Sequence, residues 1–562
     1  MNRLIVIAVT TLALVACRGS GKSVENAAPA AAAQNAPDAR KGAPLFNNLG
    51  TYTRSVTTTS DAARRYFSQG MLLTYGFNHA EAARSFREAA RLDPQCAPCW
   101  WGAALVLGPN INLPMSDNDV AEAYAASRKA VALIDNETPL ERALIDALTK
   151  RYAEQPVKDR SSLDRAYADA MREVARQFPD DPDVLALFAE SLLDLSPWDY
   201  YLPDGKPKPA TVEAIAAIEH ATAVRADHPG ALHYYIHALE ASDPDRAVAA
   251  ADRLLHLAPG AGHLVHMPAH IYIRVGRYHE AVQSNLEATS ADANYIAQCN
   301  VQGFYPLAYY SHNWHFLWAG STLEGNRKQA LEAASQTHHF MHDAPVDDPG
   351  FGPVLQHMML APVFAATRFA QWDQIDALQP PEPKYLYPTA IYHQARGTAA
   401  AARGDLAGAE RELKEVQNLL ANPELKKLYI STPNTADAIV GVAERMLAGD
   451  IAARRKNYPA AIGALEQAVE LEDKIRYNEP EDWHYPVRLL LGAVLLDAKR
   501  PVAAEAAYRG DLDKHRENGW ALFGLEQALR AQKKTADADA VHARFEKAWQ
   551  YADVKLTSSV LR

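Results

Sequence analysis

Cysteine is scarce, with four residues in a chain of 562, and that excludes a disulfide-dense scaffold. Positive charge is in deficit. Lys and Arg number 57 against 68 Asp and Glu, leaving a formal net charge of −11, whereas a nucleic-acid binder needs a basic surplus on some face. Past the first 20 residues, no apolar run approaches the ~18 residues of a membrane-spanning helix. Complete catalytic motifs are missing as well. Neither of the paired-histidine stretches described below reads His-Glu-x-x-His, so no hydrolase follows from them. What is present is a long chain, 48% hydrophobic and 22% charged, ample for a large core or an extended array.

The chain opens Met1-Asn2-Arg3, then runs apolar from Leu4 to Ala16 apart from Thr10 and Thr11. A basic start, a short apolar segment and small residues at its end predict an export signal over residues 1–17. Its last residues, Leu14-Val15-Ala16-Cys17, resemble the lipobox of bacterial lipoproteins. That resemblance implies lipidation of Cys17 and, with Arg18 rather than Asp next, an outer-membrane lipoprotein facing the periplasm. Residues 18–45 are rich in Ala, Gly, Pro and Asn. They cannot bury enough apolar surface to order themselves and predict a tether spanning about 30 Å root-mean-square. Gly19-Ser20-Gly21-Lys22-Ser23 lacks the upstream glycine and flanking elements of a phosphate loop.

From about residue 60 onward the chain is Ala-rich and periodic on a helical scale. Tyr66, Gly70, Ala82, Phe86, Ala89 and Pro94 fall at the spacing of the 34-residue tetratricopeptide repeat. Gly with Ala twelve residues later recurs at Gly70/Ala82, Gly397/Ala409, Gly449/Ala461 and Gly492/Ala504. Gly with Ala five residues later recurs at Gly276/Ala281, Gly325/Ala330 and Gly404/Ala409. Small residues suit the crossing of two antiparallel helices, with Phe86, Leu465 and Tyr508 filling the gap toward the next hairpin. The expectation is an all-α solenoid of about nine or ten tetratricopeptide-like hairpins, some degenerate. They divide into an N-terminal block (46–225), a central His-rich block (226–388) and a C-terminal block (389–562). Pro/Gly-bearing insertions interrupt the pattern at 108–119, 196–209, 341–353 and 379–388. Such insertions often serve binding, and aromatics in them, Trp198, Tyr200, Tyr201, Phe351, Tyr385 and Tyr387, are placed to fold over a groove.

Histidines form a row. His233 and His237 are four apart, as are His266 and His270, so each pair shares a helical face. The pairs are offset by 33 residues, one repeat length. His263, His312 and His357 each precede a packing residue (Ala281, Ala330, Ile375) by 18, while His266 and His315 precede Ala281 and Ala330 by 15. The spacing predicts that these imidazoles point into one concave channel, with Glu240 continuing the His233/His237 face and Glu190 and Asp194 at its rim as acid/base candidates. Imidazoles with carboxylates suit Zn or Cu, His233, His237, His266 and His270 being the expected ligands. A polar or anion-binding groove, and a purely structural role, stay open beside the metal.

Cys96 and Cys99 begin a helix and are expected to form a local disulfide in an oxidising compartment; ligation with Cys299 or Met115 is the alternative. The segments 229–237 and 263–270, with 96–101 and 480–488, resemble a His-rich subfamily of bacterial tetratricopeptide-repeat lipoproteins. That resemblance implies the fold and no particular activity. The functional expectation is a lipid-anchored solenoid, attached to the membrane by its lipid alone. It would hold a protein or peptide partner of the cell envelope, or a small ligand, in a His-lined groove; a metal-dependent enzyme or metal-binding protein is the alternative.

Overall fold

The structure is a computed structural model and describes residues 43–202, 204–299, 301, 305–341 and 344–562. Cys17, the export signal and most of the expected tether lie outside the described residues. Helices joined by short turns make an all-α stack of tetratricopeptide-like hairpins, interrupted by a short ribbon of Tyr429–Ser431 with Asn434–Thr435. Successive helices pair as hairpins: Asp61–Tyr75 with His79–Leu92, Leu386–Ala402 with Leu406–Leu420, and Gly519–Ala531 with Thr535–Ala548. Among the described residues no helix is long and apolar enough to cross a membrane.

The repeating glycines work by close approach. Phe86 fills the space between Gly70 of its own hairpin and Gly102 of the next, where an added Cβ would lie 2.7 and 2.4 Å from its ring. Tyr508 sits in the same way between Gly492 and Gly524, at 2.4 and 2.2 Å. Leu465 lies 2.6 Å from a Cβ built on Gly449. Phe86 and Tyr508 are thus each clamped by two backbones, which sets the offset between the hairpins that they join. Ala82, Ala409, Ala461 and Ala504 are completely buried, as the crossing requires.

The core falls into two large clusters. One runs from Leu49 to Phe316, the other from Val282 to Val560, and they overlap on the Tyr278–Cys299 and Ser311–Glu324 helices. Two buried charges anchor the first. Asp183 accepts from Tyr52 and Tyr75 hydroxyls at 2.5 and 2.6 Å, from Arg54 at 2.6 Å, and lies 3.0 Å from His228 Nε2. His228 Nδ1 caps its helix by accepting from the Ala231 amide, so its Nε2 carries the proton and donates. Arg151 lies 2.8 Å from Asp194 and 3.9 Å from Glu190. Both carboxylates, expected at a groove rim, are buried instead, and burial raises each carboxyl above its usual range against the pull of Arg151. Cys96 and Cys99 are bonded to each other, and Cys299 is buried; the disulfide leaves neither thiolate for a metal.

Two outcomes follow from the packing. In Gly524→Ala the gain in helix propensity, about 1 kcal/mol, is outweighed by overpacking of about 1–3 kcal/mol. The Tyr508 ring cannot retreat, because its hydroxyl is bonded to Ser559; thermal denaturation reads a lower Tm. Asp183→Asn breaks a buried charged network and costs about 3–5 kcal/mol. Burial alone would raise the Asp183 carboxyl, but His228 and Arg54 hold it far below the carboxylate range. Its contribution is complete above pH about 4 and is lost as pH falls below that value, so the gap between wild type and variant narrows in acid, as read by urea titrations.

Candidate functional site: three buried histidine triads

The histidine row is real, and it is buried rather than open. His233 and His237 lie on the Pro229–Leu239 helix, His263 and His266 on Gly262–His266, and His270 on Pro268–Arg274. His312 and His315 lie on Ser311–Glu324 and His357 on Gly352–Met359. All are buried except the partly exposed His312. They do not form one channel wall of paired rings. Ring nitrogens gather into three groups of three, His233/His237/His263, His266/His270/His312 and His315/His357/His484, each within 4.8 Å. The expected ligand set of four is divided between the first two groups. Ring centroids of neighbouring groups are 5.8 Å apart at His237–His270 and 5.9 Å at His263–His266.

The groups repeat one template. Two imidazoles four residues apart, His233 with His237 on one helix and then His266 with His270 across two successive short helices, are joined by a third from the next hairpin, His263 and then His312. Three residues beyond each third ligand begins the following group: His266 after His263, His315 after His312. At the third group the template lapses, since the position one turn after His315 is Ala319. His484 takes the vacated role from the loop between the Tyr458–Glu472 and Val487–Asp497 helices. Asp482 staples that loop by accepting from Ser431, Asn434 and Asn478 at 2.6–2.7 Å.

Protons can be assigned by their partners. Asn285 donates its amide to the Ala281 carbonyl, so its oxygen faces His266 Nδ1 at 2.7 Å and the proton of His266 is on Nδ1. His270 Nδ1 lies 2.5 Å from Glu240 and 3.0 Å from Glu479, so it too is protonated. The Nε2 atoms of these two rings are nevertheless 2.8 Å apart. Two lone pairs at that distance repel unless a cation lies between them, either a proton or a metal ion. Nitrogen ligands of a tetrahedral ion at 2.0–2.1 Å are roughly 3.3 Å apart. The first group has a similar form. His233 Nδ1 donates to the Tyr75 carbonyl, and its Nε2 lies 3.2 Å from His263 Nε2. His237 Nδ1 lies 3.0 Å from Glu240, which leaves its Nε2 buried without a partner. In the third group His357 Nδ1 meets the Tyr387 hydroxyl at 2.7 Å, and Nε2 of His315, His357 and His484 all lack partners.

Burial pushes His233, His263, His266, His315 and His484 well below the ordinary imidazole value, and His312 to about 3. Neutral imidazole is the ligand form. Burial would also lower His270, but Glu240 and Glu479 outweigh it and raise it to about 10. Burial would raise Glu240, yet His270 and His237 bring it to about 2. A carboxylate holding the far nitrogen of each ring is the outer-shell arrangement of metal-binding histidines.

Insertions do reach the row. The Trp198 ring is 5.2 Å from His237 and Tyr387 is fully buried against His357. On one side of His484 a cleft of about 590 Å³ is bounded by Ala319, Thr322, Leu323 and Glu479. It shares Arg274, Tyr477, Glu481, Lys514 and His515 with a wider surface cleft of about 1080 Å³. On the other side a small void, with room for about one water, lies between His484 and Arg368. Arg368 is buried, stacked 4.5 Å from the Tyr485 ring and 4.1 Å from Trp520. Among the described residues no carboxylate lies within salt-bridge distance of it, and its Nε and Nη1 have no hydrogen-bond partner. Two rings offer about 2 kcal/mol each, while the desolvated charge costs several kcal/mol and each lost donor bond about 1–3 kcal/mol.

Sequence spacing found eight of these rings (His233, His237, His263, His266, His270, His312, His315 and His357) and Glu240. It missed His484 and Glu479, which lie in a loop more than 100 residues downstream of their partners. The signal available was the compact Glu479-Pro480-Glu481-Asp482-Trp483-His484-Tyr485-Pro486 run, dense in ligand and aromatic types for a turn. In Glu240→Gln an amide NH2 meets one of the two Nδ1–H groups. The buried pair with His270 is then broken at a cost of about 3 kcal/mol, which chemical denaturation of the metal-free protein registers as a lower midpoint.

No protein-family model matches the chain, and no curated protein matches it. Solved structures resemble it loosely. Human IFIT1 in complex with m7Gppp-AAAA is 12% identical, covering 88% of this chain and 91% of that one with a TM-score of 0.30. Yeast Tom70 is 12% identical over 86% and 90% of the two chains at 0.28. The Cut9–Hcn1 hetero-tetramer of APC/C gives 15% identity over 84% and 78%, also at 0.28.

Proposed function

We propose that this protein binds transition-metal ions of the copper or zinc class in a row of three buried three-histidine sites. One observation carries the reading: three groups of three imidazoles follow one another in the interior, the ring nitrogens of each within 4.8 Å. A core histidine ordinarily satisfies both nitrogens; here His237, His315, His357 and His484 leave Nε2 buried without a partner and His263 leaves Nδ1. Three imidazoles without thiolate suit copper or zinc over calcium or magnesium, and leave a further coordination position for a ligand. Glu240 would orient His237 and His270, Asn285 would orient His266, and the Tyr75 carbonyl His233.

The expected export signal and lipidated Cys17 would place these sites in the cell envelope at the outer membrane, and the Cys96–Cys99 disulfide suits an oxidising compartment. A protein or peptide partner fits beside this reading. With the rings buried, it would meet the surface cleft bearing Arg274, Lys514 and Arg516 rather than the histidines.

Untagged protein dialysed against Cu(II) or Zn(II) and then against buffer should retain about three equivalents by elemental mass spectrometry, one per triad. The double variant His266→Ala/His270→Ala should hold about two, with its helical circular dichroism preserved. Retention of less than one equivalent by wild type, or unchanged retention in the double variant, would sink the proposal.

A further inference from the structure

A phenyl ring is packed against every imidazole of the first two triads. The Phe77 centroid lies 4.6, 6.0 and 5.5 Å from those of His233, His237 and His263. Phe316 stands 4.9, 4.6 and 5.3 Å from His266, His270 and His312. Within each group the ring nitrogens converge, so a ring in contact with all three imidazoles lies over one face of the group. Both phenyls are buried. Phe77 holds its place against backbone preference. It follows the Asp61–Tyr75 helix at φ +53°, whereas glycine takes the left-handed turn after three other helices, at Gly276, Gly325 and Gly404. That backbone is rare for a bulky side chain. Trp198, at φ +61°, is the other aromatic residue with positive φ among the described residues, and its ring touches His237. Phe316 follows His312 by four residues on one helix, which turns both to the same side. In the third group, among the described residues, no single ring meets all three imidazoles. Trp318 touches His315 and His484, and Phe364 touches His357 and His484.

We infer that the first two triads are cuprous sites, each holding one Cu(I) ion on three imidazole nitrogens beneath a phenyl roof, in preference to Zn(II). The inference rests on the metal reading above and names the ion at two of its three sites. Zn(II) almost always takes four ligands, so three imidazoles oblige it to find a water or another donor. A phenyl face offers no lone pair and keeps water from that side, whereas Cu(I) is stable with three ligands. Charge agrees. Among the described residues, the carboxylates within ion-pair distance of these six imidazoles are two. Glu240 lies 3.0 Å from His237 and 2.5 Å from His270, and Glu479 lies 3.0 Å from His270. Two buried negative charges neutralise two monovalent ions. Two divalent ions would leave two positive charges uncompensated, and the cost of burying charge rises steeply with its amount.

Competition between the two ions provides the test. Protein loaded with Zn(II) and freed of excess is titrated without oxygen with Cu(I), supplied as its bicinchoninate complex, and both metals are counted in the protein. Wild type should exchange two of its three zinc ions and keep the third. Phe77→Asn removes the roof and keeps a residue that tolerates the left-handed turn; the preference for Cu(I) at one site should fall at least about tenfold. Phe316→Gln, a good helix former, should do the same at the other site. Wild type that gives up no zinc, or exchanges all three ions alike, overturns the inference, and so does an unchanged preference in either variant. Should a variant not fold, X-ray absorption of wild type carrying two Cu(I) ions decides: three nitrogen ligands per copper are expected, and four overturn the inference. Protein that takes up neither metal fails the metal reading and this one together, and is recognised by its metal content alone. Three zinc ions held without preference for Cu(I) at any site fail only this one.

Discussion

Glu240 holds two imidazoles by their outer nitrogens, and in doing so decides where the inner nitrogens point. His237 belongs to the first triad and His270 to the second, so a single carboxylate registers both. Because the carboxylate is buried and flanked by two N–H donors, it stays ionised, and the donors cannot rotate away without leaving a charge unpaired in the interior. The rings are therefore fixed in tautomer as well as in place. The first two groups depend on that, since a ring free to flip would satisfy its own nitrogens and present nothing.

The scaffold earns its part through repetition. Phe86 and Tyr508, each wedged between two glycines of successive hairpins, fix the offset at their two junctions by contact distances too short for a Cβ. A constant offset means that residues at equivalent positions come into register along the stack. In the first two groups, histidines placed at one such position, and again four residues further on, meet those of the next hairpin without any special loop.

Much of this was legible in advance, because it is periodic. The Gly/Ala spacing exposed the hairpins, and the 15- and 18-residue distances from His to packing Ala exposed the shared wall. Two things were not legible. Periodicity gives a face but not a depth, so the wall was expected to be open, whereas Trp198, Tyr387 and the 473–486 loop help bury it. It also says nothing about partners that arrive from outside the repeat. His484 and Glu479 come from a connecting loop. Glu190 and Asp194 show the same limit: their i, i+4 spacing does not announce the distant Arg151 that lies beside both.

The Ser311–Glu324 helix lends His312 to the triad behind it and His315 to the triad ahead, and residues 262–274 divide their three histidines likewise. Neighbouring centres in such a row have a common wall and cannot be adjusted one at a time. A shift of half an ångström in either helix loosens two centres at once, so mutational drift anywhere along the inner wall is penalised twice over, and the row persists or decays as a unit.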